Sequence, residues 1–283
     1  MSVIQVVVLA VIQGFAELLP VSSSAHVVVA EKLMGLDPTA PALTLFLVLL
    51  HTGTMCAVIV YFWSDWRRTY FSSTTAFVGS AAAIILATAV TAAIALGLAR
   101  VLGRVLLPGQ PHAEVEELFG HLEFIAPALF AVGVLIVASD VLERRIAKHD
   151  QVSLGQSVAI GAIQGLSLPF RGFSRSGATI SVGMLVGVKK QPVEAFSFAL
   201  AVVLTPAVVV REVLRLARQG TLAAAQTHSA VWYSILGGIL AFGAGLLALK
   251  WISVWLERGR WYYFGVYCML AAIAVAWLHR AGY

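Results

Sequence analysis

Charge is what this chain has least of. Of its 283 residues only 12% are Asp, Glu, Lys or Arg, about half of the roughly 25% usual in a soluble domain. With 60% hydrophobic residues and a mean hydropathy of +0.90, that shortage excludes an ordinary water-soluble domain and leaves a polytopic membrane protein. Cysteine is also scarce. Cys56 and Cys268 both fall in apolar runs, read as small buried hydrophobes, and reveal no redox compartment. No Cys/His cluster marks zinc, and no Walker-type glycine loop is present. No basic run is long enough for a nucleic-acid patch, so nucleic acid is not an expected partner. The net charge of +5 is spread over short loops and suits anionic lipid. Met1-Ser2-Val3-Ile4 lacks the positive start of a signal peptide and is read as mature sequence.

Long apolar stretches are what the chain does have. Six are long enough to cross a bilayer: roughly 42–63, 75–98, 123–140, 193–213, 230–250 and 262–279. Two further pairs, about 3–18 with 25–34 and 154–168 with 178–187, are too short and are broken by Pro, Gly and Ser. These predict re-entrant helical hairpins, whose non-helical tips are tolerable only inside protein or a water-filled cavity. The fold class is therefore all-α: a polytopic membrane protein with six full crossings and two re-entrant hairpins.

The two hairpins repeat one another. Ile12-Gln13-Gly14-Phe15 runs into polar residues as far as His26, and Ile163-Gln164-Gly165-Leu166 into polar residues as far as Thr179, about 151 residues further on. One integral membrane domain, 1–283, built from halves of about 1–150 and 151–283, is the expected organisation. Three crossings separate the hairpins. Three is odd, so they enter from opposite faces and their tips meet near the midplane, an inverted repeat. Six crossings put both termini on one side. The larger group of loop cations is Arg67, Arg68, Arg144, Arg145, Lys148, Lys189, Lys190, Lys250, Arg258 and Arg260, which the positive-inside rule places in the cytoplasm. Both termini and the 99–122 loop then face outward. In that loop Pro108-Gly109-Gln110-Pro111 signals a turn, and Glu114, Glu116, Glu117 and Glu123 a solvated face.

The tips carry the chemistry, because hydroxyls, carboxylates, imidazole and guanidinium are costly in hydrocarbon. Gln13 and Glu17, four apart, share a helix face, and a loop folding back could bring Glu17 to His26, fixing its tautomer and raising its basicity. A structural pair plugging a helix break is the plainer alternative. In the second tip, Arg175 offers a five-donor fork for phosphate oxygens. Gly177 permits close backbone approach, the helix beginning there attracts anions, and Ser174, Ser176 and Thr179 supply hydroxyls. Arg175 as a counter-charge to Glu17 is compatible with that role. Together these are parts for phosphoryl transfer, with His26 as base or nucleophile, preferred because imidazole reacts without prior deprotonation, and Ser23 as the alternative nucleophile. A hard divalent cation held partly by Glu17 and by substrate phosphates is chemically reasonable.

Other polar residues carry less. His51 reads as packed or cavity-lining before it reads as a site residue. Ser197 and Thr205 read as intrahelical hydroxyls, and Glu194 as part of a helix first turn. Trp63, Trp66, Trp251, Trp255 and Trp261 lie near span ends and read as interface anchors.

Gln13-Gly14-Phe15-Ala16-Glu17, running through Pro20-Val21-Ser22-Ser23-Ser24-Ala25 to His26, and Gly172-Phe173-Ser174-Arg175-Ser176-Gly177-Ala178-Thr179 together resemble the two signatures of the bacterial undecaprenyl-diphosphate phosphatases, also called bacitracin-resistance proteins. Order and spacing agree over essentially the whole chain. The resemblance implies an inner-membrane enzyme that hydrolyses a polyprenyl diphosphate to its monophosphate, recycling the lipid carrier of cell-wall synthesis, with the active-site opening on the outer side. It implies Mg²⁺ or Ca²⁺ as cofactor. It places Glu17, Ser23, His26 and Arg175 in catalysis or in phosphate and metal contact, Glu17 being the metal ligand. Gln13, Ser22, Ser24, Ser174, Ser176, Thr179 and Arg171 are the expected substrate-binding residues.

Three positions depart from the commonest pattern. Gln13 replaces a frequent glutamate and removes one possible cation ligand. Ala25 stands for glycine, which would strain a backbone needing positive φ. Arg171 stands for proline, adding a second cation and loosening the turn. A polyprenyl-phosphate transporter or flippase is the rival function, since inverted repeats with broken helices are also a transporter design. A non-catalytic membrane scaffold is a third, disfavoured by the buried charges.

Overall fold

A computed structural model describes residues 1–36, 41–106, 122–143, 146, 148–218 and 228–281. Ten helices are described: α1 (Val3–Leu18), α2 (Ser23–Leu33), α3 (Pro41–Thr69), α4 (Thr74–Leu106), α5 (Leu122–Leu142), α6 (Leu154–Ser167), α7 (Arg175–Leu185), α8 (Lys190–Arg218), α9 (His228–Glu257) and α10 (Tyr262–Arg280). Six of them (α3, α4, α5, α8, α9 and α10) are long and apolar enough to cross a membrane. The protein is all-α and polytopic, with the inverted-repeat pattern the sequence predicts. Pro108 to Pro111, Glu114, Glu116, Glu117, Arg144 and Arg145 lie outside the described residues, whereas Glu123 is exposed.

The same local devices build both hairpins. Ser2 and Gln5 form a capping box at the start of α1, and Ser153 and Gln156, 151 positions later, form its equal at the start of α6. Each box satisfies otherwise orphaned helix N–H groups reciprocally. Each glutamine then reaches across its hairpin. Gln5 Nε2 donates to the Met34 carbonyl at 3.5 Å and Gln156 Nε2 to the Val186 carbonyl at 2.9 Å. The start of the inbound helix is thereby tied to the end of the outbound one, so each hairpin enters and leaves at one face.

Packing follows the repeat. α1 lies on α9, and its counterpart α6 lies on α4; α3 packs on α9 and α5 on α10. Gly14 and Gly165 make the two crossings close. A Cβ at Gly14 would stand 2.8 Å from the Ala241 carbonyl oxygen, and one at Gly165 2.7 Å from that of Thr91. The tips differ in backbone. Gly172 adopts φ +97°, which an L side chain resists, and a Cβ there would sit 2.6 Å from the Ile125 carbonyl oxygen. In the first tip the positive φ falls on Ser22, at +67°, while Ala25 lies inside α2. The strain that Ala25 was expected to bring is therefore absent from that position.

Three expectations about side chains need correction. Trp66 and Trp261 are buried in the core. Each indole N–H has found an acceptor, the Ala195 carbonyl at 3.1 Å and Ser181 Oγ at 3.1 Å, which is what allows a tryptophan to be buried. Trp63 and Trp251 are exposed as interface anchors should be. Cys56 is exposed, facing outward from α3, while Cys268 is buried.

Candidate active site at the meeting of the hairpin tips

The end of α1, the start of α2 and the start of α7 converge on Glu17. Its Oε2 accepts from Ser23 Oγ at 2.6 Å and from Gln13 Nε2 at 3.1 Å; its Oε1 accepts from Arg175 Nη2 at 3.4 Å. His51 of α3 brings Nε2 to 3.7 Å from the same carboxylate. The Glu17 and Arg175 side chains are only 18% and 17% exposed, so the two opposite charges are paired in a poorly solvated place. Four α-helical positions thus come from the first half and the guanidinium from the second.

Arg175 Nη1 is buried with no hydrogen-bond partner. A buried guanidinium nitrogen left open beside a carboxylate and a hydroxyl is an arrangement suited to an incoming anion, since an unpaired charged donor is costly until it is met.

His26 is oriented differently from the expectation. Glu17 engages Ser23, and His26 instead places Nδ1 2.8 Å from the Ser22 carbonyl and Nε2 2.6 Å from Tyr267 Oη on α10. The tip turn is tighter than a loop folding back to the imidazole would be. Ser23 starts α2 and meets Glu17 first, and His26 is carried almost one turn further round the helix.

The remaining residues divide between the tips and the frame. Ser24 Oγ accepts from Gly172 N–H at 3.4 Å, and Ser176 Oγ donates to the Leu19 carbonyl at 3.4 Å, so both serines tie one tip to the other. Ser22 Oγ lies 3.2 Å from Ser24 Oγ. Ser174 caps α7 by accepting from Gly177 N–H at 3.2 Å. Thr179 is turned away from the site. It is fully buried, donates to the Arg175 carbonyl at 2.8 Å and lies 2.6 Å from Ser197 Oγ. This corrects two readings, since Ser197 also reaches across helices, while Thr205 is intrahelical as read. Arg171 is exposed and interacts electrostatically with Glu31 of α2.

Sequence reasoning missed two contributors. His51 reads first as a packed or cavity-lining residue, although a histidine between Leu50 and Thr52 in a crossing helix was the available signal. Tyr267 had none, being one tyrosine in an apolar helix. Glu194, read as part of a helix first turn, is buried, with Oε1 accepting from Ser253 Oγ at 2.7 Å.

The donor set bears on a cation. Glu17 is the one carboxylate here, and no group of three His, Cys, Asp or Glu able to hold a metal occurs among the described residues. The Glu17 carboxylate suits a hard cation but by itself supplies too few ligands for a protein cage, so a cation would fit here only if it shared substrate oxygens.

Fold and site together define a multi-pass membrane protein whose two inverted hairpins enclose a polar, anion-ready centre. The chain belongs to the family described as Bacitracin resistance protein BacA, whose model matches residues 6–274. It is 52% identical over 273 residues to Undecaprenyl-diphosphatase 2 of Acinetobacter baylyi, covering 95% of each chain. It is 31% identical over 278 residues to Undecaprenyl-diphosphatase of Desulfatibacillum aliphaticivorans, covering 96% of this chain and 97% of that one. The protein of that name from Korarchaeum cryptofilum is 29% identical over 294 residues, covering 97% and 98%.

Proposed function

We propose that the protein hydrolyses undecaprenyl diphosphate to the monophosphate and inorganic phosphate. It works in the bacterial inner membrane with both termini and the site opening on the outer side. One observation carries the reading: the open Nη1 of Arg175 beside the Glu17–Ser23 hydrogen bond. Arg175 binds the terminal phosphate and stabilises charge developing on its oxygens. A divalent cation would be held by the Glu17 carboxylate together with diphosphate oxygens, and would neutralise their charge.

The short Ser23–Glu17 bond favours Ser23 over His26 as nucleophile. Ser23 Oγ gives its proton to Glu17 and attacks the terminal phosphorus. The Oγ–P bond forms as the bridging P–O bond breaks, and the electron pair leaves with the lipid monophosphate. Water then attacks the phosphoserine and gives a proton to the His26 base, and the departing Ser23 oxygen recovers its proton from Glu17. His51 supports the carboxylate from the side. Purified protein given a polyprenyl diphosphate and Mg²⁺ should release inorganic phosphate. Movement of the lipid between leaflets without phosphate release would replace this reading with the transporter.

A further inference from the structure

His26 is anchored at both ring nitrogens, and the second anchor is a residue with no role assigned so far. Nδ1 faces a carbonyl, Ser22 O at 2.8 Å, which can only accept. The proton of the neutral ring therefore sits on Nδ1 and the lone pair on Nε2. Tyr267 Oη stands 2.6 Å from that Nε2, so its hydroxyl donates to it. The two rings are nearly parallel, at 13°. The next residue of α10, Cys268, places Sγ 3.2 Å from the Pro20 carbonyl, so consecutive residues of α10 grip the first tip on either side of its turn. Tyr267 is also 45% exposed. Its oxygen, having given its own proton to Nε2, keeps lone pairs that can accept from a water.

Resting on the phosphatase reading, we infer that Tyr267 is the outer end of the His26 base: the proton of the attacking water reaches Nε2 through the Tyr267 hydroxyl. The water O–H bond breaks as the new O–P bond forms, the water's proton passes to Tyr267 Oη, and the tyrosine's own proton passes to Nε2. The phenol is regenerated and imidazolium results. No displacement of Tyr267 is required, although it occupies the only lone pair His26 offers. The carbonyl of Ser22 on one side and the hydroxyl of α10 on the other enforce the same tautomer.

The test uses Tyr267→Phe, which keeps the half-exposed ring and removes only the hydroxyl. Turnover should fall about tenfold or more while kcat/KM stays within about threefold, as expected when a group acts only in hydrolysing a phosphoenzyme already formed. In a His26→Ala background the same substitution should cost nothing further. Independently of activity, ¹⁵N spectra of the full-length protein should show His26 as the Nδ1–H tautomer with a hydrogen-bonded Nε2, and that Nε2 signal should shift in Tyr267→Phe. Wild-type turnover in Tyr267→Phe, a gain in turnover, or an undiminished loss in the His26→Ala background would overturn the relay. An Nε2 signal that ignores the substitution would overturn the pairing itself. Absence of phosphate release from the wild type would instead strike the phosphatase reading, and the spectra would still judge Tyr267.

Discussion

Gln13 and Gln164 hold equivalent places in two oppositely inserted helices, yet one donates to Glu17 and the other to Thr91. Gln13 Nε2 reaches Glu17 Oε2 at 3.1 Å, and Gln164 Nε2 reaches Thr91 Oγ1 at 3.2 Å inside the α4–α6 crossing. The repeat has kept the frame and divided the labour. The first half holds the carboxylate, the serine and the histidine; the second supplies the arginine that closes the site. Removing either half's contribution should therefore abolish one reaction in two different ways.

Arg175→Ala should reduce kcat/KM hundredfold or more, since losing a charge-assisted phosphate clamp costs about 3 kcal/mol of transition-state stabilisation. It also strips Glu17 of its counter-charge, and breaking a buried pair can cost about 3–5 kcal/mol of stability. Arg175→Lys separates the two effects. It keeps the charge for Glu17 but loses the fork, so it should melt near wild type in detergent and remain severely slowed. Near-normal kinetics in Arg175→Lys would show that charge alone suffices.

Ser23→Ala should abolish turnover, and rapid quenching of the wild type should trap an acid-stable phosphate on Ser23. His26→Ala should slow the second step and let that adduct accumulate. An acid-labile adduct, as phosphohistidine would give, restores His26 as nucleophile. No adduct from either residue points to direct attack by water.

Gly172→Ala should destabilise the protein and slow it together. Alanine at φ +97° carries backbone strain of about 1–3 kcal/mol, and its Cβ must push back the Ile125 carbonyl. The turn that aims Arg175 moves with it. A lowered melting temperature with unchanged kcat would mean that the turn relaxes without shifting the guanidinium.

Outside the spans, Glu143 gives a pH prediction. Burial by itself would raise its carboxyl; the hydrogen bonds and charges of Lys148 and Lys190 outweigh burial and hold it below the ordinary value of 4.5. A depressed folded-state value means a stabilisation fully present above that ordinary value and lost as pH falls below it. Acidification from about pH 7 to about pH 4 should then lower the melting temperature of the wild type more than that of Glu143→Gln. Equal slopes would show that the Lys148–Glu143–Lys190 cluster contributes nothing.

The six crossings and both hairpins were legible because hydrophobic periodicity and length are local properties of the chain. Glu17, Ser23 and Arg175 were legible too, as costly groups at breaks in apolar sequence. The pairing of Arg175 with Glu17, 158 positions apart, was legible through the inverted repeat, which brings the two tips together. The pairing of His26 with Tyr267, 241 positions apart, was not, because no repeat or local pattern records that they meet. Trp66, Trp261 and Thr179 failed for a related reason: position along a helix was readable, but the direction a side chain faces around it depends on which neighbour packs there.

The bond from Cys268 to Pro20 spans 248 positions, and it bears on how the molecule is made. The first polar tip is synthesised well before the helix that grips it. During translation the nascent chain carries Glu17 without Arg175, and then the paired tips without their clasp. Competence for turnover arrives only with α10, so a chain stalled before that helix would occupy the membrane as an inert precursor.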